Sequence, residues 1–461
     1  MFCQLARLRR CLSPRIRRAL DELPETLDET YERTLLDIDE ENWAYAHRLF
    51  QCIVVARCPL RVEELAEFLA FKSEAGGSLT FEGSWRPENA RDTVLSTCSS
   101  LIAIVDVEGS PVIQFSHFSV KEYLTSNRIA EGRMSRYYIP LEPAHLFVTQ
   151  ACLSFLLQLD KHVTRRIIVD QPLAQYAGWY WTDHAEFGNV SSQAEDVIKC
   201  LFNPENHHFA NWVWIYDTIL YRSMDSERPS CPTSAPLHYA AYHGFHRVAD
   251  WLITTYSQDP NEYGHISLTP LHLASKRGQF MVVQILLTHH ADVNTPILSS
   301  ELWTALHIAS RNGHSKLARL LLEHGADVNS MDFDRATPLF HVSARGNLEV
   351  AQVLLEHGAD PGVRANWGKD SLYMALEKGH QGLVQLLLEH GADPNTRDVN
   401  GRTLLHVASK KGHTEVAQGL LELDVDVNSR DNEGRTPLQI AEDDDDDEVV
   451  QLLLKHGAQR T

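Results

Sequence analysis

Apolar positions in the second half of the chain recur on two scales. On the longer scale one leucine returns at Leu237, Leu271, Leu306, Leu339, Leu372, Leu405 and Leu438, at steps of 34, 35, 33, 33, 33 and 33 residues. It stands in seven segments of one pattern: APLHYAA, TPLHLAS, TALHIAS, TPLFHVS, DSLYMAL, TLLHVAS and TPLQIAE. Further on, most units carry a second segment: HHADVN, EHGADVN, EHGADP, EHGADPN or ELDVDVN. On the shorter scale each unit reads as two helices, the second carrying leucine pairs such as Leu286-Leu287, Leu321-Leu322 and Leu387-Leu388. A unit of this size cannot bury its own apolar face, so its stability comes from its neighbours.

The punctuation fits. Thr269, Thr304, Thr337, Thr403 and Thr436 stand where a hydroxyl caps the first helix. Pro270, Pro338 and Pro437 follow in the first turn, where a missing N–H costs nothing. Gly278, Gly313, Gly346, Gly379 and Gly412 allow a tight turn between the helices, and Gly325, Gly358 and Gly391 end the second helix in the left-handed conformation. The fifth unit has Asp370-Ser371 in place of Thr-Pro and is expected to be the weakest interior one. In the last unit Glu442, Asp443 to Asp447 and Glu448 occupy the turn, with Asp445 in the glycine's place. That run reads as a polar outer cap, the other reading being an acidic docking site.

Period, motifs and phase together resemble ankyrin repeats, seven of them over residues 231–461. The resemblance implies a concave binding surface made of finger loops and first helices. Two features fall there. Before the turn glycines lie Lys276, Arg277, Arg311, Arg345, Lys378, Lys410 and Lys411, a cationic stripe with one step per repeat. The fingers carry Tyr263, Trp303, Phe333 and Trp367. Aromatics beside arginines are typical of binding hot spots. The alternative is that the cations only solvate a helix end and complement its dipole. An acidic protein or peptide suits the charge. The 24 histidines invite a metal reading, but most recur once per repeat at fixed positions and lack a clustered cysteine or carboxylate set, so they read as structural. No metal and no cofactor is expected.

Ahead of the repeats the pattern changes. Helices are expected near 15–38, 43–57, 61–71 and 89–98, with a polar loop near 72–88. The segment SLIAIVDVEGSPVIQFSH reads as two strands around the turn Glu108-Gly109-Ser110-Pro111, and FSVKEYLTS as a short helix. Helices followed by a small hairpin make a winged-helix arrangement, assigned to residues 20–130. A helical linker is assigned to 131–230. Winged helices often bind DNA, but Ser100 to Ser116 contains no Lys or Arg. The fold class expected is therefore mainly α: a winged-helix domain, a helical linker and a C-terminal ankyrin solenoid.

Charge and cysteines narrow the function. The chain has 461 residues and a formal net charge of −20, which argues against general affinity for nucleic acid or anionic membrane. Its eight cysteines form no CxxC pair and avoid the repeats past Cys231, which reads as reduced, cytoplasmic usage. No apolar run reaches the roughly 18 residues of a membrane span. Residues 1–19 form a basic helix with six arginines and no acid. It reads either as a surface helix or as a mitochondrial targeting segment.

LPETLDETYERTLLDI (23–38), CPLRVEELAEF (58–68) and FSHFSVKEYLTS (115–126) resemble the segment that follows the NACHT domain in fungal NACHT–ankyrin proteins of the STAND signalling class. PLAQYAGWYWTDHA (172–185) is similar to the helical linker of that family. In that family a P-loop precedes these segments. Within residues 1–461 the nearest approach to one, Gly362 to Asp370, has the wrong spacing, and Asp370 stands where Ser or Thr belongs. EGSWR, GGSLT and EGSPV fail the nucleophile-elbow pattern. The chain is expected to be no enzyme but a scaffold or sensor that binds a protein partner. The alternative is the regulatory half of a NACHT NTPase, with its nucleotide domain supplied in cis or in trans. The resemblance gives His117 a nucleotide-sensing role at the junction between second strand and helix, with Phe115 and Phe118 anchoring that junction in the core. The plainer reading of His117 is a helix cap.

Overall fold

The structure, a computed structural model, describes residues 26–73, 79–81, 94, 101–107, 109–161, 163–164, 168, 170–220, 234–264, 267–298, 301–423 and 425–460. The expected basic helix over 1–19 lies outside them, as does most of the helix expected near 89–98. The chain divides after Pro232 into two compact units.

The first unit opens with α1 (Leu27–Leu36), whose N-terminus is capped by the Thr26 hydroxyl accepting from the Glu29 amide at 3.2 Å. Helix α2 (Trp43–Val55) buries Ala46, Leu49 and Phe50 at helical spacing. Strand β1 (Leu60–Arg61) runs into α3 (Val62–Leu69), where the Arg61 amide donates to Glu64 Oε2 at 2.8 Å and closes the helix start. A short antiparallel ribbon follows, β2 (Phe71–Ser73) with β3 (Leu79–Phe81), where the end of the 61–71 helix and a polar loop over 72–88 were expected. Its apolar ends explain the difference: Phe71 pairs with Phe81, and Phe71 is fully buried.

Strands β4 (Ile102–Val107) and β5 (Ser110–Phe115) form the expected hairpin pair and join β1 in a three-stranded antiparallel sheet of order β1-β5-β4. The turn is tighter than expected, because β5 already begins at Ser110, opposite Val107. Asp106 closes it by accepting the Gly109 amide at 2.8 Å, and Gly109 takes φ +83° at no steric cost. Helix α4 (Phe118–Leu124) then turns Val120, Tyr123 and Leu124 inward.

The long apolar helix α5 (Leu141–Leu157) forms the middle of this unit, with α6 (Leu173–Ala185), α7 (Glu195–Phe202) and α8 (His208–Leu220) packed around it. Trp181 and Trp212 are fully buried and meet edge to face at 5.3 Å. The Trp212 indole donates to the Gly178 carbonyl at 3.0 Å. A Cβ on Gly178 would lie 2.4 Å from Ile215 Cγ2, so glycine is what lets α6 and α8 approach. No helix among the described residues is long and apolar enough to cross a membrane.

The second unit is the repeat array. Its first helices are Pro236–His243, Pro270–Arg277, Ala305–Arg311, Pro338–Arg345, Ser371–Glu377, Leu404–Lys411 and Pro437–Asp443, each packed on the next. The recurring leucines Leu237 to Leu438 are all buried. The turn glycines Gly278, Gly313, Gly346, Gly379 and Gly412 have φ between +67° and +81°, and Gly325, Gly358 and Gly391 lie near +85°. Asp445 adopts the same left-handed region, with φ +56°.

Three histidine positions have three structural jobs. His272, His307 and His406 accept the amide of the preceding Thr on Nδ1, so Nε2 carries the proton and donates to a backbone carbonyl of the finger that follows, at 2.9 to 3.2 Å. His314, His380 and His413 lie against the turn glycine of the preceding repeat; a Cβ on Gly278 would lie 2.8 Å from His314 Cε1. His324, His357 and His390 use Nδ1 to donate to a carbonyl four residues back, at 2.8 to 2.9 Å. Among the described residues no cluster of His, Cys, Asp or Glu could hold a metal ion.

The fifth repeat, expected to be the weakest interior one, keeps this network with different groups. Asp370 caps the helix, accepting from the Tyr373 amide at 2.8 Å and the Thr396 hydroxyl at 2.5 Å. Tyr373 takes the histidine's place, and its hydroxyl donates to Asp398 at 2.8 Å. Aspartate caps a helix as well as threonine does.

Candidate partner-binding surface

Five of the seven first helices, the second to the sixth, carry a cation in the last turn or just after it; the first ends in His243 and the seventh in Asp443. Lys276, Arg277, Arg345, Lys410 and Lys411 are exposed in the last turns of their helices, and Lys378 is exposed at the end of the fifth. Arg311 is half-buried. The structure thus places the whole sequence-derived stripe at one end of the stacked first helices.

Two of these cations are held by aromatic rings of the array itself. The Arg277 guanidinium lies 5.1 Å from the Tyr242 ring centroid, and that of Arg311 lies 4.7 Å from Trp303. A cation over a ring face is held there electrostatically. By contrast, Lys369 is neutralised by Glu377 at 2.9 Å, Arg319 by Glu356 at 3.0 Å, and Arg435 by Asp431 at 3.1 Å.

The four aromatics do not behave alike. Phe333 and Trp367 are 65% and 52% exposed, on adjacent finger tips. Tyr263 is half-buried and donates to the Pro296 carbonyl at 2.8 Å. Trp303 is half-buried beneath Arg311; its indole N–H donates to Asp332 at 3.2 Å, and its ring lies 4.8 Å from His341. Tyr263 and Trp303 therefore fix the fingers and one cation, while Phe333 and Trp367 present bare apolar surface.

Backbone bonds tie the finger tips into a ridge: Phe333 N to Glu301 O at 3.1 Å, Asn366 N to Asp334 O at 2.9 Å, Val399 N to Trp367 O at 3.3 Å, and Asn432 N to Asn400 O at 2.9 Å. A finger aspartate braces three of these loops. Asp332 accepts the Asp334 and Ala336 amides, Asp398 those of Asn400 and Arg402, and Asp431 those of Glu433 and Arg435, all at 2.8 to 3.0 Å. Tyr242, Asp332, His341 and the exposed Val399 were not singled out in the sequence. A signal existed for Val399, which stands 66 positions after Phe333, two repeats of 33.

His117 belongs to the first unit. It is exposed and caps α4: Nδ1 accepts from the Ser119 amide at 3.3 Å and bonds the Ser119 hydroxyl at 2.5 Å, which in turn meets the Tyr31 hydroxyl at 2.6 Å. Phe115 is half-buried and packs toward Phe50 at 6.1 Å. Phe118 does not anchor the junction in the core as expected; it is 70% exposed and lies against the His117 ring at 4.4 Å. The reason is helical phase. Phe118 is the first residue of α4, and the inward face is taken by Val120, Tyr123 and Leu124.

Comparison with known proteins bears on the second unit first. The family description "Ankyrin repeats (3 copies)" matches residues 237–332, 330–398 and 372–461. The chain is similar to "Azaphilone pigments biosynthesis cluster protein L" of Monascus ruber, with 33% identity over 298 residues, covering 59% of this chain and 61% of that protein. The chain thus spans less than two thirds of that relative's length. Among solved structures, the ankyrin repeat domain of Bcl-3, titled a unique member of the IkappaB protein family, is 29% identical with a TM-score of 0.44, covering 48% of this chain and 98% of that one. Residues 237–461 are an array of ankyrin repeats.

Proposed function

We propose that this chain is the recognition part of a STAND-type signalling protein, capturing a protein partner on the first helices and fingers of its ankyrin array. The observations that carry the reading are the exposed cations at the ends of the first helices and the two bare finger aromatics, Phe333 and Trp367. Exposed aromatics and arginines supply the apolar anchor and the directional bonds that binding hot spots use. The chain acts by binding, in the cytoplasm, and turns over no substrate of its own.

The first unit supports the same architecture. Three helices beside the sheet β1-β5-β4 fit a winged helix, and α5 to α8 fit a linker that carries the array. A second reading, the regulatory half of a NACHT NTPase, draws on His117. An exposed imidazole fixed at a strand-to-helix junction is poised to meet a phosphate offered by a NACHT domain in cis or in trans.

The test uses the full chain as bait. Arg277→Glu, Arg311→Glu, Arg345→Glu and Lys411→Glu together are expected to abolish partner capture and leave the circular dichroism spectrum unchanged. Unchanged capture removes the stripe from the account. For the second reading, ADP retention by a NACHT domain fused to this chain is expected to fall on His117→Ala and to survive in the unsubstituted fusion. Hydrolysis of ATP or of an ester by the purified chain, lost on a point change within it, overturns the non-catalytic reading.

A further inference from the structure

We propose that the finger tips between the second and the sixth repeat dock one amphipathic helix of the partner. Its apolar stripe lies on Leu302, Phe333, Trp367 and Val399, and carboxylates line its flank. The inference rests on the partner-binding reading above and names the partner's shape and chemistry.

Leu302 and Val399 are 42% and 59% exposed and join the bare Phe333 and Trp367. The four stand on successive tips that hydrogen bonds tie together. Glu301, next to Leu302, accepts from the Phe333 amide at 3.1 Å. The Phe333 carbonyl accepts from Asn366 Nδ2 at 3.4 Å, and the Trp367 carbonyl from the Val399 amide at 3.3 Å. A Cβ on Gly368 would lie 3.4 Å from Val399 Cγ1, so the valine side chain reaches back to the Trp367 tip. Exposed apolar side chains gathered on one bonded ridge mark an interaction site. The apolar row stops at the sixth tip, where Asn432 and Glu433 take the places of Val399 and Trp367.

Backbone strain is a second sign. Leu302 and Arg335 hold left-handed backbone, φ +54° and +59°, at the tip position where Gly368, Gly401 and Gly434 lie between +72° and +80°. Glycine is free of that strain, and both side chains are exposed. Strain kept for an exposed side chain points to a contact made outside the array.

Charge and spacing describe the occupant. Arg335, Arg364 and Arg397 are exposed on the same three tips as Phe333, Trp367 and Val399. The tip carboxylates Asp332 and Asp398 are instead buried against amides of their own fingers. The charge shown along the apolar ridge is therefore cationic, in a chain of net charge −20, and complements carboxylates. Packed helices lie about 10 Å apart, so the tips advance by about that much per repeat. Seven residues of α-helix rise about 10.5 Å, so one side of a helix offers one residue to each tip. In an extended strand, three residues cover a similar length but successive contacts face opposite sides. Four tips take about 22 residues of helix.

Fluorescent peptides of about 24 residues, at nanomolar concentration, test this by anisotropy against the full chain. The first is Ala-rich and helical, with Leu at every seventh position and Glu on its flanks. A second scatters the same residues around the helix, a third carries Lys for Glu, and a fourth has two central prolines. The first is expected to bind at least tenfold tighter than the scattered and proline forms, and at least fivefold tighter than the Lys form. Phe333→Ser with Trp367→Ser should weaken it at least tenfold and leave the circular dichroism spectrum unchanged. Phe280→Ser with Leu348→Ser, which removes exposed apolar side chains from second helices, should leave binding unchanged. Equal binding of the first and the proline or scattered peptide, no binding, or an equal loss in the Phe280 and Leu348 variant overturns the proposal. So does self-association of the chain that Trp367→Ser abolishes, because a second copy then covers the ridge. Should the peptides fail while the fourfold reversal variant still loses its cellular partner, the helix falls and the partner-binding reading stands.

Discussion

His145 and His184 face each other through their Nδ1 atoms, 2.8 Å apart inside the first unit, and His184 Nε2 lies 2.8 Å from the Tyr176 hydroxyl. Only one proton fits between the two Nδ1 atoms, so the pair is stable with both rings neutral. Burial pushes His145 down to about 4, helped by Arg57 and Lys121; burial pushes His184 down to about 3, helped by His145 and Arg57.

The sign follows. A histidine whose folded value lies below its unfolded value of about 6.5 takes up protons on unfolding. Its contribution to stability is present above pH 6.5 and is lost as pH falls toward the folded value. Between pH 7 and pH 5 the pair is expected to remove about 2–4 kcal/mol from the first unit. Urea midpoints followed by tryptophan fluorescence at the two pH values measure it. His145→Gln with His184→Gln should flatten at least half of the difference, and an undiminished slope would place the acid sensitivity elsewhere.

At the far end of the array, Asp445 sits at φ +56° where the six other repeats use glycine. Left-handed backbone strains a side chain, and Asp444 beside it opposes the helix dipole. Asp445→Gly is expected to stabilise the seventh repeat by about 0.5–1 kcal/mol. Slower hydrogen exchange over Pro437–Asp443 is the readout; faster exchange there means that the aspartate has a local partner worth more than the strain.

The fifth repeat offers a cleaner comparison. Asp370→Thr should leave hydrogen exchange of Ser371–Glu377 near that of its neighbours. Asp370→Ala should destabilise by about 1–2 kcal/mol, since it removes a cap and strands the Tyr373 amide. If alanine and threonine behave alike, the carboxylate is not what replaces the usual motif.

The repeats were legible because each carries its own punctuation: period, caps and turn glycines depend on neighbours within a few residues. The cationic stripe was legible for the same reason, since a cation stands in the last two positions before the turn glycine in five repeats. What the sequence concealed depends on contacts across repeats. Trp303 looked like a free aromatic, yet Arg311, Asp332 and His341 claim it, from its own repeat and the next. Asp370 looked like a broken motif until Thr396 and Tyr373 appeared beside it. In the first unit the phase of α4 was set by Tyr31 and the sheet behind it, so Phe118 read as core and stands outside. The β2–β3 ribbon has three residues per strand, too few for alternation to show.

Asp332 is the residue on which the Trp303 finger turns. One of its oxygens accepts the Asp334 and Ala336 amides at 2.9 and 2.8 Å; the other accepts from His341 Nε2 at 2.8 Å and the Trp303 indole at 3.2 Å. Burial alone would raise its pKa, but the His341 bond and the Ala336 amide outweigh it and hold the carboxyl below its ordinary value. Such a group contributes stability above its unfolded value of about 3.9, and that contribution is lost as pH falls through the folded one. Asp332→Asn turns one acceptor oxygen into an NH2 group that faces donors, so it is expected to destabilise the array by about 2–3 kcal/mol at neutral pH. Trp303→Phe keeps a ring under Arg311 and gives up one partly exposed bond, which should cost about 1 kcal/mol or less. The two substitutions should also be non-additive, because they break the same bond. Urea denaturation of the two single variants and the double variant checks this. Additive losses would show that Trp303 and Asp332 stabilise the finger independently, and that Arg311 is placed by something other than their contact.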